Sequence, residues 1–207
     1  MKRRSQQMPV EFTGVNELRK ALKQYAPDLD KQLKKELKEA TSSVVKTARG
    51  YAPASAPLSN WGKGNGRFPI YNARTVKNGI RLSTARSKKN KNGFSSSIRI
   101  VNASAAGAIY ETAGRKNPWG QPWVGPAGKA GKSYSHSPNK YAGRDFIAAM
   151  GGEFKGKGKE RGRLIYRAWE EDQGKTQDAV IKAVMKTNQL FTAKTSGFVT
   201  KGVRKAA

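Results

Sequence analysis

Residues 28–51 constrain the fold of this chain more than any other stretch. Their apolar side chains recur at helical spacing and therefore fall on one stripe of a helix. The stripe consists of Leu29, Leu33, Leu37, Ala40, Val44, Ala48 and Tyr51. Asp28 can cap the first turn, and Pro53 disfavours helical geometry at Ala52. We therefore predict one continuous helix over 28–51, which must lie across a sheet or other helices to bury its stripe.

Shorter periodic segments around this helix predict an α+β fold. Residues 14–26 have the pattern of a short helix, and 164–169 and 179–191 have that of two closing helices. Apolar and polar residues alternate over 76–82 and 94–100, and the basic connector between them ends in Asn-Gly, as in an antiparallel hairpin. The predicted architecture is a set of N-terminal helices, including the long one, and C-terminal helices packed on a small antiparallel sheet, with long loops and basic arms.

Composition predicts one domain with extensions. The predicted parts are a basic N-terminal arm at 1–13, a single α+β domain at 14–193 and a basic C-terminal tail at 194–207. Residues 115–162 are rich in Gly, Pro, Ser and Lys without a sustained period, which predicts a long insertion with one helical turn at 144–150. The hydrophobic content of 36% and the 22 glycines agree with this amount of loop. Periodicity leaves 105–113 open between a helix and an extended segment.

The charge of the chain is its strongest compositional signal. Lysine and arginine number 41 against 14 acidic residues, a formal net charge of +27. From Ala40 to Arg144 there are 18 basic residues and one acid, Glu111. Such a field attracts polyanions and repels other copies of the chain unless something neutralises it. Nucleic acid is the first candidate partner, acidic proteins are the second, and a basic protein kept soluble by its charge is the alternative.

Few residues of this chain can support catalysis or hold a cofactor. There is no cysteine, which excludes disulfides and thiolate metal sites. The one histidine, His136, stands in a Ser-His-Ser-Pro segment without a carboxylate to orient it. A segment ending in Gly131-Lys132-Ser133 resembles a phosphate loop, but Pro126 occupies the place of the required glycine. We therefore expect no enzymatic activity, no metal and no cofactor.

Targeting signals are not evident in the sequence. No apolar run approaches the roughly 20 residues of a membrane span, so we expect no membrane partner. The basic start at residues 1–7 lacks the apolar stretch of a signal peptide. These observations predict a soluble protein made in the cytoplasm.

Basic residues in predicted loops are candidate contacts to DNA or to a partner. The basic tip of the predicted hairpin, residues 86–91, is interpreted either as a DNA- or neighbour-facing finger or as a solvated loop, and the run 155–163 has the same two interpretations. The candidates are Lys63, Arg67, Arg86, Lys88, Lys89, Lys91, Lys155, Lys157 and Lys159.

Aromatic residues in glycine- and proline-rich loops are candidate subunit contacts. Trp61, Trp119 and Trp123 lie in such loops, which cannot bury them locally, so they suit anchors between subunits. The alternative is a small aromatic cluster under the insertion. Tyr110 and Glu111 are added to this set. Because Glu111 is alone among basic residues, we expect it to pair with an arginine, within or between subunits, and Glu111→Gln is expected to weaken assembly.

Three stretches, in order, resemble the tail-completion or minor tail component family of long-tailed bacteriophages, relatives of lambda's tail protein Z. They are Gly14-Val-Asn-Glu-Leu-Arg-Lys-Ala-Leu22, a helix closing in Ala48-Arg-Gly-Tyr-Ala-Pro53, and Ala108-Ile-Tyr-Glu-Thr-Ala-Gly114. Tyr110-Glu111-Thr112-Ala113-Gly114 departs from the family's pattern in the order of Gly and Thr. The segment 163–169 resembles the family's lead into its C-terminal helix. The resemblance covers about 14–113 and 163–192, and 116–162 cannot be mapped.

The resemblance implies a structural virion protein at the head–tail joint. It implies an α+β subunit assembled as a homo-oligomeric ring around the DNA channel, in contact with neighbouring neck and tail proteins and, without sequence specificity, with genomic DNA. The virion would then be its location, after assembly in the host cytoplasm. Two alternatives stay open: a non-specific nucleic-acid-binding protein of ribosomal or nucleoid type, and another neck protein such as a tail terminator or head–tail stopper.

Overall fold

The computed structural model describes residues 15–59, 61–63, 69–85, 87–89, 91, 96, 98–126 and 134–203. These form two compact units. The smaller unit comprises Met1–Ala40, Thr84–Arg99 and Gln177–Ala207, and the larger unit comprises Thr41–Ser83 and Ile100–Thr176. The division falls inside the predicted domain 14–193, and the described residues of the predicted insertion 115–162 belong to the larger unit.

Helices dominate the described part of the chain, accompanied by two small antiparallel sheets of two strands each, β1–β2 and β3–β4. This confirms the predicted α+β class. The elements in order are α1 (Val15–Tyr25), α2 (Pro27–Ala40), α3 (Ser42–Gly50), α4 (Ala73–Gly79), β1 (Ile80–Ser83), β2 (Arg99–Asn102), α5 (Ala105–Thr112), α6 (Ala142–Met150), β3 (Lys155–Lys157), β4 (Glu160–Gly162), α7 (Ile165–Asp172) and α8 (Lys175–Val203). None of the described helices is long and apolar enough to cross a bilayer.

The continuous helix predicted over 28–51 is wrong. The structure has two helices, α2 and α3, separated at Thr41. The apolar stripe runs through the break, which is why periodicity does not reveal it. Thr41 begins a Thr-Ser-Ser run whose hydroxyls compete with the backbone for hydrogen bonds and weaken a helix interior. The division between the units falls at the same residue. The predicted cap is also displaced, because Pro27 is already helical, a position that suits proline at a helix start.

The predicted hairpin begins later than its alternation suggests. Residues 73–79 form α4 instead of the first part of a strand, because the Asn72 side chain accepts a hydrogen bond from the Thr75 amide at 2.9 Å and caps the helix. Val76 and Ile80 are both fully buried, and their spacing of four fits a helix as well as a strand. β1 therefore starts at Ile80. Of the predicted partner strand 94–100, residues 94, 95 and 97 lie outside the described residues, and 99–100 begin β2.

Three further segments are assigned by the structure. The undecided stretch 105–113 is helical as α5, capped by the Ser104 hydroxyl, which accepts from the Gly107 amide at 3.1 Å. The helical turn predicted at 144–150 is confirmed as part of α6. The closing helix α8 continues to Val203, past the point where the sequence predicts the tail to begin.

The core of the larger unit joins residues that are far apart in sequence. α3 contributes Val44 and Ala48, α4 and β1 contribute Val76 and Ile80, and Leu164 precedes α7. Further members are Ala52, Trp61, Tyr71, Ala106, Tyr110, Met150 and Ala168. Burial of this apolar surface is the main stabilising term of the unit, at about 25 cal/mol per Å² removed from water.

The smaller unit has its own buried side chains around α1 and α2. Leu22, Leu33 and Leu37 are fully buried there. Asp30 is also buried, and its carboxylate lies 2.7 Å from the Lys34 ammonium and 3.4 Å from the Arg19 guanidinium. Burial by itself raises the pKa of Asp30, but the two cations hold this pKa below its ordinary value. The buried charge of Asp30 is thus compensated by two cations, and its contact with Arg19 joins α1 to α2.

Candidate functional site

A basic hairpin stands out among the sequence-predicted candidates. β3 and β4 pair antiparallel, with Lys155 opposite Gly162 and Lys157 opposite Glu160. Periodicity does not predict this hairpin, because its strands consist of Gly, Lys, Glu and Arg without apolar alternation. Gly156 has φ +99°, and a side chain there would collide with the Glu160 carbonyl, so glycine is required for the pairing. The exposed residues around the tip include Lys157 and Lys159.

The base of this hairpin is held to α7 and α3 by a charged cluster. The Lys155 ammonium lies 2.9 Å from Glu171 and 3.7 Å from Glu153. Arg167 donates to the same Glu171 carboxylate at 3.1 Å and lies over the Tyr51 ring at 4.0 Å. The Tyr51 hydroxyl donates to Glu171 as well. Lys155 is therefore a structural cation, whereas Lys157 and Lys159 present their charge to solvent.

The stability of this cluster is expected to depend on pH through Glu171. The hydrogen bond from Tyr51, followed by that from Lys155, lowers the pKa of Glu171 from 4.5 to about 2. Because the folded-state pKa is depressed, the stabilisation is present above about pH 4.5 and is lost as the pH falls toward 2. Glu171→Gln should therefore destabilise the larger unit at pH 6 and lose its effect near pH 2. Urea unfolding between pH 6 and pH 2 measures the difference in free energy of unfolding between the unchanged chain and this variant, and Glu170→Gln, at an exposed position, is the control. A difference that does not change with pH would contradict the prediction.

Arg163, directly after β4, is a buried arginine that connects the ends of two helices in the larger unit. It is 2% exposed, and its guanidinium stacks over the Phe154 ring at 4.1 Å. Its Nε donates to the Gly151 carbonyl at 2.6 Å, and its Nη1 donates to the carbonyls of Tyr110 and Ala113 at 3.1 and 2.5 Å. Those carbonyls end α6 and α5, where the helices lack partners of their own. One side chain thus satisfies two helix ends.

Glu111 accepts hydrogen bonds from backbone amides at the start of α7, just as Arg163 donates to carbonyls at the ends of α5 and α6. Its carboxylate accepts from the Leu164 amide and, at 3.0 Å, from the Tyr166 amide. Gly162 has no side chain, and a Cβ there would collide with this carboxylate. Burial raises the pKa of Glu111, and this effect outweighs the amide hydrogen bonds and the Arg115 charge, which lower it. Among the described residues its hydrogen-bonding partners are backbone amides, and Arg115 acts on it through its charge. The expected arginine is therefore not among its hydrogen-bonded contacts in the described part of this chain, and a pair with an arginine of another subunit stays a prediction.

Glu111→Gln is expected to lower the free energy of unfolding of the larger unit by about 1–3 kcal/mol. The glutamine amide group offers one oxygen and one donor where the α7 amides require two acceptors, which leaves a buried group unsatisfied. Denaturant unfolding of the isolated chain checks this, with Glu170→Gln as a surface control. Any loss of assembly in Glu111→Gln would then follow from lost stability, and an unchanged stability would contradict the assignment.

The other sequence-predicted residues differ in their exposure. Lys63, Lys88, Lys89 and Lys91 are exposed. Arg67 and Arg86 lie outside the described residues. Trp61 and Tyr110 are 5% and 2% exposed, so their assignment as surface anchors is wrong.

Trp61 is buried because residues later in the chain cover it. The Trp61 carbonyl accepts from the Tyr71 amide at 3.1 Å, and the two rings lie 5.2 Å apart. The indole Nε1 donates to the Pro69 carbonyl at 2.7 Å. Tyr110 is buried because it lies on the core-facing side of α5, one helical turn from Ala106.

Two tryptophans of the insertion are accessible. Trp119 is 80% exposed, and Trp123 is 38% exposed, with its Nε1 donating to the Ser137 carbonyl at 2.9 Å. Tyr141 is also exposed, under the Arg144 guanidinium at 4.7 Å. Trp119 and Trp123 are accessible as the predicted role of subunit anchors requires, a role that stays a prediction.

Sequence reasoning missed the residues that organise this region. Arg163, Arg167 and Arg115 are not among its candidates. The position of Arg163 just before a helix with an apolar face could have identified it as a candidate. The sequence does not reveal, however, which carbonyls its side chain reaches. In the part of the chain that the structure describes, no group of three or more His, Asp or Glu is arranged to hold a metal ion.

Comparisons with protein-family models, with curated proteins and with solved structures gave no significant match to this chain.

Proposed function

We propose that this chain is a structural protein of a tailed-bacteriophage virion, a tail-completion component at the head–tail joint. The observation that carries the proposal is the order of its elements. A helix ending just before Ala52-Pro53 is followed by the β1–β2 hairpin, by Tyr110-Glu111 on α5, and by a lead segment into a long closing helix, α8. This is the order that the sequence resemblance implies for the phage family.

The charge of the chain supports a position beside DNA. A protein at the DNA channel needs phosphate contacts that tolerate any sequence, and a net charge of +27 with exposed lysines at the β3–β4 tip supplies them. The neighbouring neck and tail proteins are proposed as further partners. The exposed Trp119 supplies an aromatic anchor of the kind that subunit interfaces use.

Light scattering and negative-stain imaging of nuclease-treated protein at low and high salt test the proposal. Rings or discrete oligomers that persist at high salt are the expected result, because aromatic contacts are not screened by salt. A chain that stays monomeric alone and when mixed with neck and tail proteins would contradict a ring-forming role. A tail terminator or head–tail stopper would also form rings. These roles are distinguished by adding the chain to a phage assembly reaction that lacks its tail-completion protein, because only a completion protein is expected to restore infectious tails.

A non-specific nucleic-acid-binding protein is the second candidate function. The β3–β4 hairpin favours it, because a two-stranded ribbon with exposed lysines at its tip can follow a phosphate backbone. A monomer that associates only when duplex DNA or RNA is added would support this candidate over the virion component.

Replacing Lys157 and Lys159 together with glutamine is expected to weaken binding to duplex DNA of any sequence. Each lost phosphate contact lowers the slope of log affinity against log salt by about 0.9, so two contacts lower it by about 1.8. Fluorescence anisotropy with a labelled duplex over a salt series measures this slope. Glutamine at Lys35 and Lys46, which are exposed on α2 and α3, is the control of equal charge. Equal slopes for the two variants would exclude the hairpin as a specific contact.

A further inference from the structure

Three exposed aromatic residues of the larger unit are attached around one cavity of about 510 Å³. The aromatic residues are Trp119, Tyr134 and Tyr141, which are 80%, 48% and 52% exposed. The next residue after each of them lines the cavity, namely Gly120, Ser135 and Ala142. Because consecutive Cα atoms are only about 3.8 Å apart, the fold brings these three rings into one part of the surface.

Backbone contacts hold the segments that carry the rings. Gly120 has φ +81°, and a side chain there would collide with the backbone of Gly143 in α6, so these two segments touch. The Ser135 amide donates to the Pro122 carbonyl at 2.8 Å, and the Val124 amide donates to the Ser135 carbonyl at 3.2 Å. The rings therefore lie on segments that are already positioned, which lowers the entropic cost of binding a ligand.

Cations accompany these aromatic rings. Six basic residues and no acid stand between Glu111 and Asp145 in the sequence. The Arg144 guanidinium lies 4.7 Å and the Lys140 ammonium 5.9 Å from the centre of the Tyr141 ring. Arg144 also forms an exposed ion pair with Asp145 at 3.6 Å, a kind of contact that contributes little. Positive charge thus lies directly beside exposed aromatic surface.

Single-stranded nucleic acid is the ligand that this combination fits best. Proteins that bind single strands stack unpaired bases on aromatic side chains and contact the phosphates with cations. The bases of a duplex are stacked on one another and leave no free face for such rings. A second copy of this chain would bring the same positive charge to the contact, which disfavours it.

We propose that Trp119, Tyr134 and Tyr141 form a stacking surface for single-stranded nucleic acid, with Lys140 and Arg144 contacting its phosphates. The inference goes beyond the virion role, because it depends on these rings and cations and not on a ring of subunits. It is also separate from the contacts proposed for the β3–β4 tip, whose lysines would bind a duplex through phosphates alone.

Fluorescence anisotropy of the full, nuclease-treated chain tests the proposal with two labelled probes. One is a thymidylate dodecamer, and the other is a dodecamer of abasic deoxyribose phosphates, which has the same backbone charge without bases. Trp119→Ala is expected to weaken binding of the thymidylate probe by about 5- to 150-fold, the range of one lost base stack, and to leave binding of the abasic probe unchanged. Trp119→Phe keeps a ring and should recover part of the loss.

Two further variants separate stacking from charge. Trp169→Ala is the matched control, because Trp169 is 41% exposed and belongs to α7, which supplies no described residue to the cavity wall. It should leave the affinity for both probes unchanged. Arg144→Gln is expected to lower the slope of log affinity against log salt by about 0.7 for both probes, the value for one phosphate contact of a single strand.

Several results would overturn the inference. Equal affinity of the unchanged chain for the two probes, or equal losses in Trp119→Ala and Trp169→Ala, would mean that the rings do not stack on bases. A Trp119→Ala variant that loses its oligomers but keeps its affinity for the thymidylate probe would assign this ring to a protein contact instead. Circular dichroism melting verifies that each variant is folded, and Tyr134→Ala replaces Trp119→Ala, with the same expectation, if the latter is unfolded.

Discussion

Arg163→Met is expected to lower the free energy of unfolding of the larger unit by about 3–5 kcal/mol. Methionine has similar length but donates no hydrogen bond, so the carbonyls of Gly151, Tyr110 and Ala113 lose their shared partner. Buried acceptors left unsatisfied cost about 1–3 kcal/mol each, and their shared environment keeps the sum below three independent losses. The guanidinium stack on Phe154 is lost as well.

Urea unfolding followed by tryptophan fluorescence measures this effect, because all four tryptophans belong to the larger unit. Arg161→Met is the matched control: Arg161 lies on the same hairpin and approaches Phe154 only at 5.5 Å. Its expected effect is below about 1 kcal/mol. Arg163→Lys keeps the charge and should recover only part of the loss. A stable Arg163→Met variant would mean that α5 and α6 do not depend on this side chain.

Trp61→Ala is expected to destabilise the larger unit by about 3–5 kcal/mol. The indole is almost completely buried against Tyr71, and its removal leaves a large cavity and an unpaired Pro69 carbonyl. Trp61→Phe keeps most of the apolar surface and should cost less. The fluorescence of the three other tryptophans still reports the transition.

Trp119→Ala is the same substitution at an exposed tryptophan and serves as the comparison. Trp119 is 80% exposed, so its loss should alter the free energy of unfolding by no more than about 0.5 kcal/mol. If it anchors a subunit contact, as proposed, oligomers should weaken while the melting temperature of the chain stays unchanged. Reversed roles, with a stable Trp61→Ala and an unstable Trp119→Ala, would contradict the burial of the two rings.

The arrangement around α7 connects these stability effects with the proposed functions. Arg163 fixes the ends of α5 and α6, Glu111 fixes the start of α7, and Glu171 holds Lys155 at the base of the basic hairpin. The charged tip is thus attached to the helices of the larger unit by side-chain hydrogen bonds and ion pairs, which favours precise contacts over adaptable ones.

Local patterns predict much of this protein correctly. The stripes over 28–51 and 179–191 belong to helices, the turn at 144–150 belongs to α6, and the α+β class follows from periodicities of 3.6 and 2. The charge excess is read directly from composition. Each of these features depends only on residues within a few positions of one another, so the sequence alone is sufficient to predict it.

Other features were decided by tertiary structure, because their partners are distant in the chain. The break at Thr41 divides a stripe that is continuous by spacing, and it coincides with the boundary between two units that periodicity does not distinguish. Trp61 is buried because its loop folds onto a core that also contains Tyr71 and residues of α3, α4 and α5. The amides that Glu111 binds and the carbonyls that Arg163 binds depend on segments brought together by the fold. The sequence determined which helices and charges exist, while packing between distant segments decided which side chains are buried and which groups they pair with.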